Sequence, residues 1–218
     1  MCIRDSCSIW QKNNEEFFKF MTVDFKEFIQ LAYEDSLDLK STKKAFMQIM
    51  NGEISEIQIS SFISLLQKSG VKSHHVIAAL EVMRKKMLSI NAPLNTMDTC
   101  GTGGDGKNSL NISTATAFVL AASGIPIAKH GNRALTSKCG SADVLKALNI
   151  NVDMETSKLE DCLRNIGICF MFAPNHHPAM KHVAQVRQLL GFRTIFNMLG
   201  PLLNPANVRN QIVGVYSC

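Results

Sequence analysis

The sequence predicts an α/β protein in which a small N-terminal helical domain precedes a larger α/β domain with a mostly parallel sheet. Between residues 23 and 90, apolar residues recur at helical spacing. After Pro93, short apolar segments alternate with helical patterns, which is typical of a parallel sheet covered by helices. With 218 residues and 46% apolar content, the chain can bury a substantial core.

The predicted domains follow from where these patterns change. Residues 1–20 lack a clean periodicity, so we expect a non-native or disordered extension. A helical domain should occupy residues 21–92 and an α/β domain residues 93–218. Helices within about residues 178–205 should pack back onto the helical domain, because both sets carry one-sided apolar stripes. No helix follows the last predicted strand, so we expect the second domain to be truncated at its C-terminus.

Four short helices are predicted in the first domain. The first carries Phe25, Phe28, Ile29 and Ala32 on one face. The next three should start at Ser41–Thr42, at a capping box of Ser55 and Gln58, and at Ser73, with Gly52 and Gly70 as two of the ends. In the last, Ile77, Leu80 and Met83/Arg84 recur at helical spacing. His74 and His75 lie at the start of this helix. Adjacent residues point apart on a helix, so we interpret them as a solvated helix start rather than a metal pair.

The second domain should alternate strands and helices. Strands are predicted at residues 96–99, 125–128, 168–173 and 211–216, the last of them buried. Helices are expected from Asp143, from Ser157 and after Pro178. An irregular helical segment should cover residues 193–206, broken by Gly200, Pro201 and Pro205.

Composition indicates which class of binding partner and which cellular compartment to expect. The net charge of +5 favours an anionic partner, but the basic residues are scattered and aromatic residues make up 7%. A small phosphorylated substrate fits this pattern better than nucleic acid, which favours a basic stripe. Seven cysteines without a C-x-x-C pair indicate free thiols in a cytoplasmic protein, and no apolar run approaches the roughly 20 residues of a membrane span.

The stretch from Asp98 to Asp143 carries the strongest chemical signal. Glycines 101, 103, 104 and 106 let a turn approach a ligand closely and present its backbone N–H groups. Asn111, Ser113 and Thr114 follow at the start of an Ala-rich helix, whose N-terminus attracts anions. The stretch lacks the Gly-Lys-Ser/Thr of a P-loop, and it fits the dinucleotide pattern by glycine count alone. These residues therefore predict a phosphate site.

A family resemblance extends this interpretation. The motifs GTGGDG, NIST, KHGNRA, GSADVL, HHPAMK and RTIFNMLGPLLNPA occur in one order along the chain. In these residues, and in the helical segment before them, the chain resembles the anthranilate phosphoribosyltransferase family over nearly everything after Met21. The resemblance implies transfer of phosphoribosyl from 5-phosphoribosyl 1-diphosphate to the amine of anthranilate, with Mg²⁺. It also implies a nucleoside phosphorylase/phosphoribosyltransferase-like fold, a cleft between two domains, and a homodimer through the helical domain.

The resemblance also assigns site residues by motif. The implied donor-binding residues are Gly101, Thr102, Gly103, Gly104, Asp105, Asn111, Ser113, Thr114, Lys129, Asn132 and Ser141. The implied anthranilate-binding residues are Gly101, His130, Asn132, His177, Arg187 and Pro201. Ser113 would contact the metal, Lys129 would oppose the donor phosphates, and Arg187 would hold the carboxylate with its planar fork. The family's Asp-Glu magnesium pair is expected beyond residue 218, so we expect this chain by itself to be inactive.

Two other functions remain as alternatives at this point. A pyrimidine nucleoside phosphorylase would share the architecture, but it predicts a Lys-His-Ser-Thr-Gly-Gly loop where this chain has Lys129-His-Gly-Asn-Arg133. A non-catalytic nucleic-acid-binding relative should lack the anthranilate ligands. Arg187 and the His176-His-Pro178 motif argue against it. For His176 and His177, a zinc pair is a further, less favoured alternative.

Overall fold

A bundle of four helices comes first in the described part of the chain. The computed structural model describes residues 24–102, 110–134 and 139–215, so the expected extension at residues 1–20 lies outside the described residues. The helices are α1 (Phe25–Tyr33), α2 (Leu39–Asn51), α3 (Glu56–Lys68) and α4 (Ser73–Lys86). Gly52 ends α2 with φ 77°, a left-handed conformation that glycine adopts without strain.

The second part of the chain alternates strands and helices as predicted. Its first elements are β1 (Met97–Gly101), α5 (Ile112–Ala122), β2 (Ile127–Gly131), α6 (Ser141–Ala147), α7 (Thr156–Asn165) and β3 (Ile168–Phe172). They are followed by α8 (Ala173–His176), a 3₁₀ turn (Pro178–Met180), α9 (Lys181–Leu190), α10 (Ile195–Leu199), a second 3₁₀ turn (Gly200–Leu202) and β4 (Asn210–Gly214). The irregular helical segment around Gly200 and Pro201 is thereby confirmed.

The four described strands form one parallel sheet in the order β3-β2-β1-β4. From β1 the chain winds outward through β2 to β3, and it then returns to place β4 on the other side of β1. This reversal creates a switch point between β1 and β4, where Gly101 lies beside Gly214. In parallel α/β sheets, ligands bind outside the carboxyl ends of the strands at such a point.

One apolar core joins the bundle to the later helices. It contains buried side chains of α1 to α4 together with Val183 and Val186 of α9, and Ile195, Phe196 and Leu199 of α10. Phe46 of α2 contacts Phe62 and Phe196 edge-on, with centroids 6.0 and 5.8 Å apart. The helices after Pro178 therefore do pack back onto the helical part, because each side covers the other's apolar stripe.

Several predicted details of the bundle are wrong. Helix α2 starts at Leu39 and is capped by Asp38, whose carboxylate accepts from the Ser41 N–H at 2.6 Å. Helix α4 is preceded by Lys72 rather than capped by Ser73. His75 is buried, not solvated, and its Nδ1 accepts from the Lys72 N–H at 3.1 Å. Ile77 is 47% exposed, because α4 turns Ala78, Ala79 and Val82 inward instead.

The sheet region also differs from the prediction in places. Strand β2 begins after Pro126 and runs on to Gly131, and α6 and α7 start at Ser141 and Thr156. Strand β4 lies at the edge of the sheet, and Ile212 is 50% exposed, so the expected buried strand is wrong for these residues. Apolar composition indicated burial, but most β4 side chains are exposed, whereas the other edge strand, β3, is buried. Within the described ranges, no helix has the length and apolar character needed to cross a membrane.

Candidate functional site

The predicted site residues gather at the carboxyl ends of the strands. Gly101 is the last residue of β1 and Thr102 follows it, while His130 lies in β2, two residues before Asn132. His177 follows the short helix after β3. The Thr102 N–H donates to the Gly214 carbonyl at 3.0 Å, which continues the β1–β4 pairing up to the glycine-rich turn. Parallel strand order therefore brings together segments that are far apart in sequence.

Lys129 joins β1 to the start of α5. The side chain is 3% exposed, and Nζ donates to the Thr99 carbonyl at 2.5 Å and to Ser113 Oγ at 3.2 Å. Burial lowers the pKa of Lys129, while the nearby Asp98 charge opposes that shift. An ammonium has three donors, so one remains for a further oxygen atom. Lys129 thus places a cation where the predicted phosphate site begins.

The N-terminus of α5 faces the same region. Asn111 is the N-cap residue, yet its side chain makes no capping hydrogen bond, and Nδ2 instead points to the Cys139 carbonyl at 3.5 Å. In the first turn, Thr114 Oγ1 donates to Ser141 Oγ at 3.0 Å. This contact ties the starts of α5 and α6 together. The uncapped helix start leaves positive dipole charge for an anion.

A carboxylate organises the loop that carries Asn132. Asp143 Oδ2 accepts from the Gly140 N–H at 2.8 Å and from the Ala134 N–H at 3.0 Å. These bonds, with Ala134 first, lower the pKa of Asp143. The Asn132 carbonyl accepts from the Ala142 N–H at 3.2 Å, while the Asn132 side chain is exposed. These bonds therefore hold the loop against α6, and the exposed Asn132 side chain is accessible to a ligand.

Gly140→Ala is expected to disrupt this loop. A Cβ at Gly140 would lie 2.4 Å from the Ala134 nitrogen and 2.6 Å from the Arg133 carbonyl carbon. Backbone atoms cannot yield as a flexible side chain can, so we expect a loss of about 1 to 3 kcal/mol in the free energy of unfolding. Urea denaturation measures it. The control Gly214→Ala, whose nearest contact would be an ordinary 3.8 Å, should change stability little. Equal effects of the two substitutions would contradict the close approach.

His130 and His177 form a buried pair beside the second 3₁₀ turn. Their Nε2 atoms are 3.2 Å apart, and His130 Nδ1 lies 3.3 Å from the Gly200 carbonyl. Since a carbonyl only accepts, His130 carries its proton on Nδ1, and His177 donates to its Nε2. Burial lowers the pKa of His130 to about 4 and, together with the His130 charge, that of His177 to about 3. Near neutral pH both rings are uncharged, and with the buried Pro201 nearby they form a neutral wall.

Arg187 lies in α9. Its guanidinium carbon is 5.5 Å from the Phe196 ring centroid, and burial lowers its pKa. Within residues 24–102, 110–134 and 139–215, no carboxylate pairs with it. Arginine stays protonated in proteins, so the half-buried charge lacks a protein counter-ion in this part of the chain. Such a charge suits an anionic ligand.

Other site residues lie outside the described structure or were not predicted from the sequence. Gly103, Gly104 and Asp105 are outside the described residues. Sequence reasoning missed Asp98 and Gln211, whose side chains bond at 3.0 Å. It also missed Arg193, which donates to the Thr102 carbonyl at 3.2 Å. A charged residue within a buried strand was the one available signal for Asp98.

The described residues do not fit a resident magnesium ion. They contain no group of three or more His, Cys, Asp or Glu side chains that could ligate a metal. Ser113 offers one neutral oxygen, and the Lys129 ammonium is 3.2 Å from it. Mg²⁺ prefers several oxygen ligands with negative charge, and a neighbouring ammonium opposes its binding.

The fold and site together define a class of protein. A parallel α/β sheet has Lys129 and the start of α5 at its carboxyl edge, and a helical bundle packs against helices that follow the site. Family models agree with this division: the glycosyl transferase family helical bundle domain matches residues 28–87, and the glycosyl transferase family a/b domain matches residues 94–218. The chain belongs to this glycosyl transferase family.

Individual relatives are similar over most of the chain. The anthranilate phosphoribosyltransferase of Bradyrhizobium sp. (strain ORS 278) is 47% identical over 195 residues, which are 89% of this chain and 58% of the relative. The crystal structure of the Thermus thermophilus enzyme aligns with TM-score 0.81 at 38% identity, over 87% of this chain and 58% of that one. A Saccharomyces cerevisiae enzyme described in complex with PRPP and Mg gives TM-score 0.81 at 29% identity, over 88% and 58%. The chain thus spans a little over half the length of these relatives.

Proposed function

We propose that the protein transfers the phosphoribosyl group of 5-phosphoribosyl 1-diphosphate to the amine of anthranilate, a step of tryptophan biosynthesis. This chain would supply residues of both substrate subsites. One observation carries the proposal: a cationic, helix-start anion site lies next to a neutral histidine wall at the same sheet edge. His130 and Lys129, which are adjacent in β2, belong to the two halves. The names of the relatives support the same activity.

The donor side supports binding of a diphosphate. Lys129 makes two of its three possible hydrogen bonds within the described residues, and the start of α5, which the Asn111 side chain does not cap, offers backbone N–H groups and dipole charge. Ser113, Thr114 and Ser141 add hydroxyls at the same place, and Asn132 is open to the ribose. Such fixed positive charges stabilise the negative charge that develops on diphosphate as its bond to the sugar breaks.

The acceptor side supports an aromatic carboxylate. The guanidinium of Arg187 would bind the carboxylate, while Pro201, His130 and His177 would flank the ring and amine. In the reaction the amine nitrogen forms a bond to the anomeric carbon, the carbon–oxygen bond to diphosphate breaks, and the amine releases one proton. No protein nucleophile is needed. Burial and the Asp98 charge raise the pKa of the Cys100 thiol to about 12, so the nearest cysteine stays neutral.

We propose that Mg²⁺ binds together with the donor; the yeast relative is described in complex with PRPP and Mg. The proposal also includes a homodimer through the helical bundle. Exposed apolar side chains on the bundle support an interface, among them Tyr33 at 72% and Ile57 at 79% exposure. A cytoplasmic location fits the free thiols of Cys100, Cys162 and Cys169.

Calorimetric titration of the 218-residue chain tests the function. We expect 5-phosphoribosyl 1-diphosphate to bind and inorganic diphosphate to compete with it. Orthophosphate with a pyrimidine nucleoside serves as the rival ligand set. Nucleoside binding that depends on orthophosphate, without binding of the diphosphate donor, would contradict the proposal and favour a nucleoside phosphorylase.

Arg187→Ala is expected to weaken anthranilate binding by roughly tenfold to over a hundredfold, because a charge-assisted bidentate pair contributes about 1.5 to 3 kcal/mol. Donor affinity should stay within about twofold. Anthranilate fluorescence measures the first and calorimetry the second. The control Arg164→Ala removes an exposed arginine that pairs with Asp161, and it should change neither affinity. A loss confined to the donor would show that Arg187 serves the other subsite.

A further inference from the structure

A fully buried carboxylate lies inside β1, just before the glycine-rich turn. Asp98 has 0% exposure, so its charge requires hydrogen-bond partners. Oδ1 accepts from the His130 backbone N–H at 3.2 Å, and Oδ2 accepts from Gln211 Nε2 at 3.0 Å. Asp98 therefore links β1 to β2 on one side and to β4 on the other.

Gln211 extends this link to the second 3₁₀ turn. Its Nε2 also donates to the Pro201 carbonyl at 2.6 Å and lies 3.3 Å from Cys100 Sγ. The neighbouring Gly200 carbonyl lies 3.3 Å from His130 Nδ1. The turn is thus attached to the histidine wall twice: directly through the His130 ring, and through Gln211 and Asp98 to the His130 backbone.

We infer that Asp98 and Gln211 are positioning residues of the acceptor subsite. They fix the distance between His130 and Pro201, which would lie on either side of the ligand. The inference rests on the proposed function. Asp98 is too deeply buried to touch a substrate, so it acts through the backbones of residues that do. The pair joins strands whose residues are 113 positions apart.

The donor subsite is held by a different set of bonds. Lys129 is bound to Thr99 and Ser113, and neither bond involves Gln211. Removing the Gln211 amide leaves the Asp98 charge beside Lys129 intact, whereas replacing Asp98 would disturb both subsites. Gln211 is therefore the cleaner position for substitution.

Two substitutions separate the role of the hydrogen bonds from that of side-chain bulk. Gln211→Met keeps the length of the side chain and removes the donated bonds to Asp98, the Pro201 carbonyl and Cys100 Sγ. Gln211→Lys keeps donors that reach Asp98 and the Pro201 carbonyl. We expect the first to weaken anthranilate binding about fivefold to thirtyfold and the second to restore affinity to within about threefold of wild type. Diphosphate affinity should remain within about twofold in both. The control Gln30→Met, at an exposed side chain of α1, should alter neither.

The experiment combines anthranilate fluorescence titration, diphosphate calorimetry and ¹⁵N spectra of the histidine rings. The His130 and His177 ring signals should move in Gln211→Met and stay near wild type in Gln211→Lys. Equal weakening of both ligands, or unchanged ring signals in Gln211→Met, would overturn the inference. If wild type bound no anthranilate, the proposed function would fail, and the ring signals alone would decide the positioning role.

Discussion

Lowering the pH from about 7.5 to about 5 is expected to reduce the free energy of unfolding by about 4 kcal/mol. The cause is the buried pair of His130 and His177, whose folded pKa values of about 4 and about 3 lie below the ordinary value of 6.5. In the unfolded chain both rings bind protons as the pH falls below about 6.5, whereas in the folded protein they stay neutral. At about pH 5 each ring therefore favours the unfolded state by about 2 kcal/mol.

The sign and window of this effect follow from the depressed pKa values. The stability that comes from keeping both rings neutral is fully present above about pH 6.5. It is lost as the pH falls below that value, and the loss stops growing once the pH is below the folded pKa values. Burial also lowers the pKa of His75 and of His176, so these rings act in the same direction. The lowered pKa values of Asp38 and Asp143 also decrease the free energy of unfolding as the pH falls, but in a separate, more acidic pH range.

Urea denaturation followed by circular dichroism measures the loss at the two pH values. The double variant His130→Asn, His177→Gln should lose much of the pH dependence, because neither replacement titrates. An unchanged denaturant slope confirms that the same transition is compared. A wild-type stability that is flat between the two pH values would show that the rings are not buried as neutral groups.

Phe46→Ala is expected to lower the free energy of unfolding by about 3 to 5 kcal/mol. The ring has 0% exposure and contacts Phe62 of α3 and Phe196 of α10. Its removal leaves a cavity at the centre of the core shared by the bundle and the later helices. Phe196 also supports Arg187, so we expect anthranilate affinity to fall as well.

A double-mutant cycle checks whether the two groups of helices share this core. Phe46→Ala combined with Phe196→Ala should be less destabilising than the sum of the single effects, because the second truncation enlarges an existing cavity. The control Tyr33→Ala, at a side chain 72% exposed, should cost little. Additive effects of the two core substitutions would contradict direct packing of α2 against α10.

Local sequence signals predicted most of the helices and some of the contacts between motifs. The Ser55 cap of α3 is confirmed, since Ser55 Oγ accepts from the Gln58 N–H at 3.4 Å. Lys129 and Ser113 come from motifs 16 residues apart, and the structure joins them directly. Such features succeed because caps, glycine turns and strand ends depend on short stretches of chain.

The failures have a common physical cause in long-range packing. The Asp98–Gln211 bond connects two strands 113 positions apart, and no local signal indicates that these two side chains meet. The position of His75 at a helix start indicates exposure, yet the residue is buried. Its burial depends on its neighbours in the bundle and not on its own helix. Strand β4 has the composition of a buried strand, yet its side chains are mostly exposed, because burial depends on which helices cover a strand and not on its composition alone.

The most direct test of the proposed acceptor site uses the histidines as reporters. Their ring signals can be followed in ¹⁵N spectra while anthranilate is added to the chain in the presence of diphosphate. We predict that His130 and His177 shift together, while His74 and His75 in the bundle stay in place. Shifts at the bundle histidines with none at His130 and His177 would contradict an anthranilate site at the carboxyl edge of the sheet.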